Sequence, residues 1–128
     1  MTSVLNRRVL VIEDYDPVAQ IESLLVTMEG YDVRVARTGD EGMTGITDFK
    51  PDLVVLDLML PGKVSGQDIL TSILEDGQAT PRVLVVSALV GADLASRFAA
   101  NQRVATLTKP FRVRELSERM RSLMEGAH

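Results

Sequence analysis

Four short apolar runs in this chain each end in a polar group. Val9-Leu-Val-Ile leads into Glu13-Asp14, Leu53-Val-Val-Leu into Asp57, Val83-Leu-Val-Val into Ser87, and Val104-Ala-Thr-Leu-Thr into Lys109-Pro110. Runs this short, bounded by turn residues, have the pattern of strands buried on both faces. In an open α/β sheet, ligands bind just outside the carboxyl ends of the strands. Three carboxylates, a hydroxyl and an ammonium gathered at those ends suit a hard divalent cation and a phosphoryl group.

Strand-like and helix-like segments alternate along the whole chain. Strands are predicted at roughly 8–13, 32–36, 53–57, 83–87 and 104–107. The first helix should follow Pro17, with Asp16 as its N-cap and Val18, Ile21, Leu24, Leu25 and Met28 as its apolar stripe. Gly30 should stop it. A second helix opens at Gly39-Asp-Glu, carries Met43 and Ile46, and breaks at Lys50-Pro51. A third spans about 67–75 and ends at Asp76-Gly77; a fourth, weaker in pattern, spans about 92–100. The fifth, about 113–124, places Val113, Leu116, Met120, Leu123 and Met124 on one stripe. Five such βα units imply a doubly wound five-stranded parallel sheet with five helices on its two faces. With strand order 2-1-3-4-5, strands 1 and 3 meet at the switch point, and Glu13, Asp14 and Asp57 converge there.

Composition narrows the function classes. A chain of 128 residues is long enough for one domain with a real core, and the expectation is a single domain over residues 1–128. There is no cysteine, hence neither a disulfide framework nor thiolate chemistry. No apolar stretch approaches the roughly 20 residues that span a bilayer, and the N-terminus lacks a signal-peptide core. The expected compartment is the cytoplasm. A net charge of −4 disfavours nonspecific nucleic-acid binding, and 4% aromatics with no tryptophan leaves little for base stacking. No direct nucleic-acid or membrane binding is expected of this domain.

At the residues quoted above, the chain resembles the receiver domain of two-component response regulators, a flavodoxin-like fold. The matching pieces are Glu13-Asp14, Asp57 within Asp-Leu-Met-Leu-Pro61, Ser87-Ala88 and Lys109-Pro110-Phe111, in family order and with family-like separations. The resemblance implies that Asp57 accepts a phosphoryl group from a sensor histidine kinase or phosphotransfer protein, with Mg²⁺ (or Mn²⁺) bound. It makes Asp14, Asp57 and the backbone carbonyl of Met59 direct metal ligands, with Glu13 acting through water. Lys109 and the Ser87 hydroxyl contact phosphoryl oxygens, the Ala88 N–H assists, and Lys109-Pro110 is a cis peptide. Such a domain catalyses its own phosphorylation and dephosphorylation. Phosphorylation shifts the face built by the fourth helix, fifth strand and fifth helix, which a downstream protein or an output domain reads. The sequence does not separate a stand-alone regulator from one whose output domain is missing.

Three departures qualify the resemblance. The family's aromatic switch residue is replaced by Thr106, so the expected switch, centred on Ser87 and Thr106, is reduced or rewired. The loop Pro61-Gly-Lys-Val-Ser-Gly66 is one residue longer than usual. Acidic residues common before the fifth strand are absent from Asn101-Gln-Arg103-Val-Ala105, which weakens the case for a homodimer through that face without removing it. The alternative function is a degenerate receiver, a binding module independent of phosphorylation. A flavodoxin-type cofactor site would need a phosphate-cradling loop where Glu13-Asp14-Tyr15-Asp16 stands. A haloacid-dehalogenase-type phosphatase would need a second acid where Met59 stands. Met28, Met43, Met120 and Met124 read as core filling, and His128, the sole histidine, is assigned no role.

Overall fold

Five parallel strands form one sheet in the order β2-β1-β3-β4-β5. They are β1 (Arg8–Ile12), β2 (Asp32–Ala36), β3 (Leu53–Leu56), β4 (Arg82–Ser87) and β5 (Val104–Thr108). The computed structural model describes residues 7–78, 80–88, 97 and 101–125. Among these lie four helices: α1 (Asp16–Met28), α2 (Gly39–Phe49), α3 (Gly66–Glu75) and α4 (Val113–Glu125), the last being the fifth helix of the sequence expectation. The helix expected over about 92–100 lies outside the described residues except for Arg97.

Alternation along the strands divides the core into two layers. Val9, Val11, Leu53, Val55, Leu84, Val86 and Leu107 pack with α1 and α4. Leu10, Ile12, Val54, Leu56, Val83, Val85 and Val104 pack with α2 and α3. The central strands β1 and β3 are buried on both faces, which explains their unbroken apolar runs. Each such side chain contributes roughly 1.5–3 kcal/mol of burial free energy.

The helices follow local chemistry, with three corrections. Asp16 is not the N-cap of α1. It is the first helical residue, the cap is Tyr15, and no side-chain bond closes the turn. The Asp16 carboxylate instead accepts from Gln20 Nε2 at 2.6 Å and pairs with Arg37. The apolar stripe expected for α1 is also rotated. Ala19, Glu22, Leu25 and Val26 face the core, whereas Ile21, Leu24 and Met28 are exposed. The two phasings differ by one residue, and the small Ala19 on the inner face lets the helix approach the sheet. In α4, Leu116, Met120, Leu123 and Met124 are buried as expected, but Val113 is exposed. Gly30 and Gly77 adopt positive φ after α1 and α3, and Lys50 does so at the end of α2.

α3 opens with a capping box in which Ser65 and Asp68 satisfy each other's backbone N–H groups. Its first residue, Gly66, lies directly against the segment after β3. A Cβ there would stand 2.3 Å from the Asp57 carbonyl oxygen and 2.4 Å from Leu58 Cα. Backbone atoms cannot yield as a side-chain tip can. We therefore expect Gly66→Ala to cost about 1–3 kcal/mol in urea unfolding, and wild-type stability for the variant would contradict this packing.

Candidate functional site

Pairing of β1 with β3 fixes the site. The ladders run on past the strand ends, with Asp57 N donating to Ile12 O between β3 and β1 and Glu13 N donating to Ala36 O between β1 and β2, each at 3.0 Å. Glu13, Asp14 and Asp57 then present carboxylate oxygens that all lie within 4.8 Å of one another. Glu13 and Asp57 are buried, and Asp14 is exposed at the rim.

β4 and β5 bring the remaining groups. Lys109 follows β5, and its backbone N–H donates to Ser87 O at 3.2 Å. Its Nζ reaches Glu13 Oε1 at 2.6 Å and Asp57 Oδ2 at 3.1 Å. Burial works against the lysine charge, but the bonds to Glu13 and Asp57 outweigh it and hold the pKa above its ordinary value. Burial raises the Glu13 pKa, with the Lys109 bond and the Tyr15 N–H at 3.1 Å pulling the other way. The Met59 N–H donates to Asp57 Oδ1 at 3.0 Å and fixes that carboxylate's orientation. The Lys109–Pro110 bond is cis, as the resemblance implied; Thr80–Pro81 is cis as well.

Ser87 is buried at the end of β4, and Ala88 lines the pocket beside it. Thr106 is not brought there. It pairs with Val85 in mid-strand, half-buried, and its carbonyl accepts from Arg119 of α4. The pocket above the acids has a volume of about 670 Å³. Its polar floor is Glu13, Asp14, Asp57 and Lys109, and its walls are Tyr15, Val18, Ile21, Met59, Phe111 and Val113. The acidic and basic members were legible from strand-end positions. The apolar wall was not, because Val18, Ile21 and Val113 read as core.

The donor set suits a hard cation. All three candidate ligands are carboxylates, an oxygen set of the kind Mg²⁺ and Mn²⁺ prefer, and such ions keep several waters, so few protein ligands suffice. Their mutual repulsion is only partly relieved by the single lysine.

Comparison with known proteins places this architecture. The family model for the response regulator receiver domain matches residues 9–121. The chain belongs to the response regulator receiver family. This receiver is 32% identical over 122 residues to the uncharacterized transcriptional regulatory protein YkoG of Bacillus subtilis, covering 91% of this chain and 50% of that protein. It is 30% identical over 118 residues to the DNA-binding response regulator MtrA of Mycobacterium tuberculosis, covering 92% and 50%. The chain thus spans about half the length of these relatives. Among solved structures, the receiver domain of the Francisella response regulator 1452 superposes with a TM-score of 0.84 at 28% identity, covering 96% of this chain and all of that one. The Thermotoga maritima response regulator TrrA, solved in complex with Mg²⁺-BeF, gives 0.77 at 25% identity, covering 91% and 98%. Receiver domains belong to two-component systems and bind Mg²⁺ at an acidic site, and Glu13, Asp14 and Asp57 form such a group here. Among the described residues, no helix is long and apolar enough to cross a membrane.

One buried acid was missed entirely. Glu22 is 1% exposed on the inner face of α1, and its Oε2 has no hydrogen-bond partner among the described residues. Burial, then repulsion from Glu13, pushes its pKa up to about 8. The folded protein therefore holds this proton at a pH where the unfolded chain has lost it. Stability from this group is full below about pH 4.5 and declines as pH rises towards 8. Glu22→Gln should leave stability at pH 4.5 near wild type and raise it at pH 7 by on the order of 3 kcal/mol. Chemical denaturation across that range checks this. A constant difference between the two proteins would show that Glu22 does not titrate in the fold.

Proposed function

We propose that this receiver is a phosphoacceptor switch whose Asp57 carboxylate takes a phosphoryl group from a phosphohistidine donor. The observation that supports this most is the convergence of Glu13, Asp14 and Asp57 around Lys109 Nζ. Asp57 is the nucleophile: one of its oxygens attacks phosphorus as the bond from phosphorus to the donor nitrogen breaks, and the electron pair leaves with the imidazole. A bound Mg²⁺, held by Asp14, Asp57 and the Met59 carbonyl with Glu13 through water, would neutralise charge between carboxylate and phosphoryl oxygens. Lys109 and the Ser87 hydroxyl take phosphoryl oxygens, and the Ala88 N–H supplies a further donor.

The pocket wall supplies the approach. Tyr15, Ile21, Leu24, Met28, Met59 and Val113 are the exposed large apolar residues among those described, and four of them line the phosphoacceptor pocket. A macromolecular donor must bring its histidine to Asp57 across that wall. We read the outer face of α1 as the docking surface for the kinase or phosphotransfer helix that carries it. Residues 1–128 act as one receiver module, and the change it undergoes is read by an output domain or downstream protein. With Thr106 in mid-strand and its carbonyl bonded to Arg119, β5 and α4 are joined through backbone and guanidinium rather than through a rotating aromatic.

Incubation with acetyl phosphate and Mg²⁺ should add the mass of one phosphoryl group, and Asp57→Ala should abolish the gain. No gain in the wild-type protein would favour a receiver that works without phosphorylation. Leu24→Asp, on the exposed face of α1 outside the pocket lining, should slow transfer from protein donors while leaving acetyl phosphate labelling unchanged; equal slowing of both would remove the docking role.

A further inference from the structure

Among the described residues three acidic side chains are buried: Glu13, Asp57 and Glu22. The phosphoryl chemistry uses the first two and leaves Glu22 without a task. Its position ties it to the site. Val18 lines the pocket, and Glu22 lies one helical turn further along the same face of α1. Around it on the inner face stand Ala19, Leu25 and Val26, which offer no hydrogen bond from their side chains. The buried residues of α4, packed in the same layer, are Leu116, Ser117, Met120, Leu123 and Met124, none of them ionisable. The charged groups that reach it are Glu13 beyond β1, Asp57 beyond β3 and Lys109 beyond β5. Among the described residues, no hydrogen bond or ion pair joins Glu22 to any of them, so they act on it through space.

We propose that Glu22 is a positioning residue beneath the phosphoacceptor pocket, a buried acid with an unpartnered oxygen, whose ionisation adds a fourth negative charge to the site and couples its affinity for a divalent cation to pH. The proposal rests on the reading of the pocket as a cation-assisted phosphoacceptor site. Its physical basis is reciprocity. A divalent cation placed among Glu13, Asp14 and Asp57 stabilises the charged form of Glu22 and drives its proton off. Charged Glu22 in turn strengthens the cation's hold. A phosphoryl group acts in the opposite sense and favours the protonated acid. Two charges facing one across a partly buried gap give an effect of about tenfold in affinity. The unpartnered Oε2 fits this role, because a hydrogen bond satisfying either protonation state would pin the group to that state.

Calorimetric titration of Mg²⁺ into the full chain at pH 6.5 to 9, in buffers of different ionisation enthalpy, tests the idea. In the wild type, affinity should rise by about tenfold more across that range than in Glu22→Gln. Binding near pH 8 should release more protons from the wild type than from the variant, a signature that a purely structural role would not produce. Glu22→Leu, which fills the same space without a titratable group, should behave as Glu22→Gln does. Identical pH profiles and proton counts in wild type and both variants would overturn the proposal while leaving the cation site intact. Absence of Mg²⁺ binding by the wild type at every pH would overturn the reading of the pocket itself.

Discussion

Parallel pairing of β1 with β3 is the constraint from which the rest of this molecule follows. It lays Glu13 and Asp14 beside Asp57, three acids that repel one another at the open end of a sheet. That arrangement is tolerable because Lys109 is delivered to the same place by β5 and bridges two of the three. The lysine in turn depends on β4, since its N–H continues the ladder onto Ser87 O. Four strand ends are thus held in one cluster by backbone hydrogen bonds, and the charge balance comes from groups far apart in sequence.

Much of this was legible beforehand because strands buried on both faces have an unmistakable composition. Leu53-Val-Val-Leu followed by Asp57 states both the strand and where its polar group emerges. The acid cluster became legible only once an order was assumed for the strands, and β2-β1-β3-β4-β5 is the order found. The phase of α1 was not legible. Val18, Ile21, Leu24, Leu25 and Met28 make a convincing inward stripe, yet three of these five are exposed, Leu25 alone is buried, and a glutamate points inward. Apolar spacing reports that a face is covered by something. It does not report whether the cover is the protein's own sheet or a visiting helix.

That inversion of α1 is where local pattern and global fold disagree, and such disagreements concentrate at functional sites. The helix turns an apolar face outward beside the pocket and a carboxyl group inward beneath it. Stability is spent on both counts: large side chains left in water, and a polar group buried without a hydrogen bond. On the proposed reading, the outward face serves contact with a donor, and the inward acid responds to the charge of what is bound above. One helix then joins partner recognition to the electrostatics of the phosphoacceptor site.

The central claim is that the clustered carboxylates form one cation-binding unit at the carboxyl edge of the sheet. Titration of Mg²⁺ into the wild-type protein and Asp14→Asn at neutral pH tests it most directly. One ion should bind the wild type, and the variant should lose at least tenfold in affinity through removal of a ligand charge. Equal affinity in the two proteins would contradict the account.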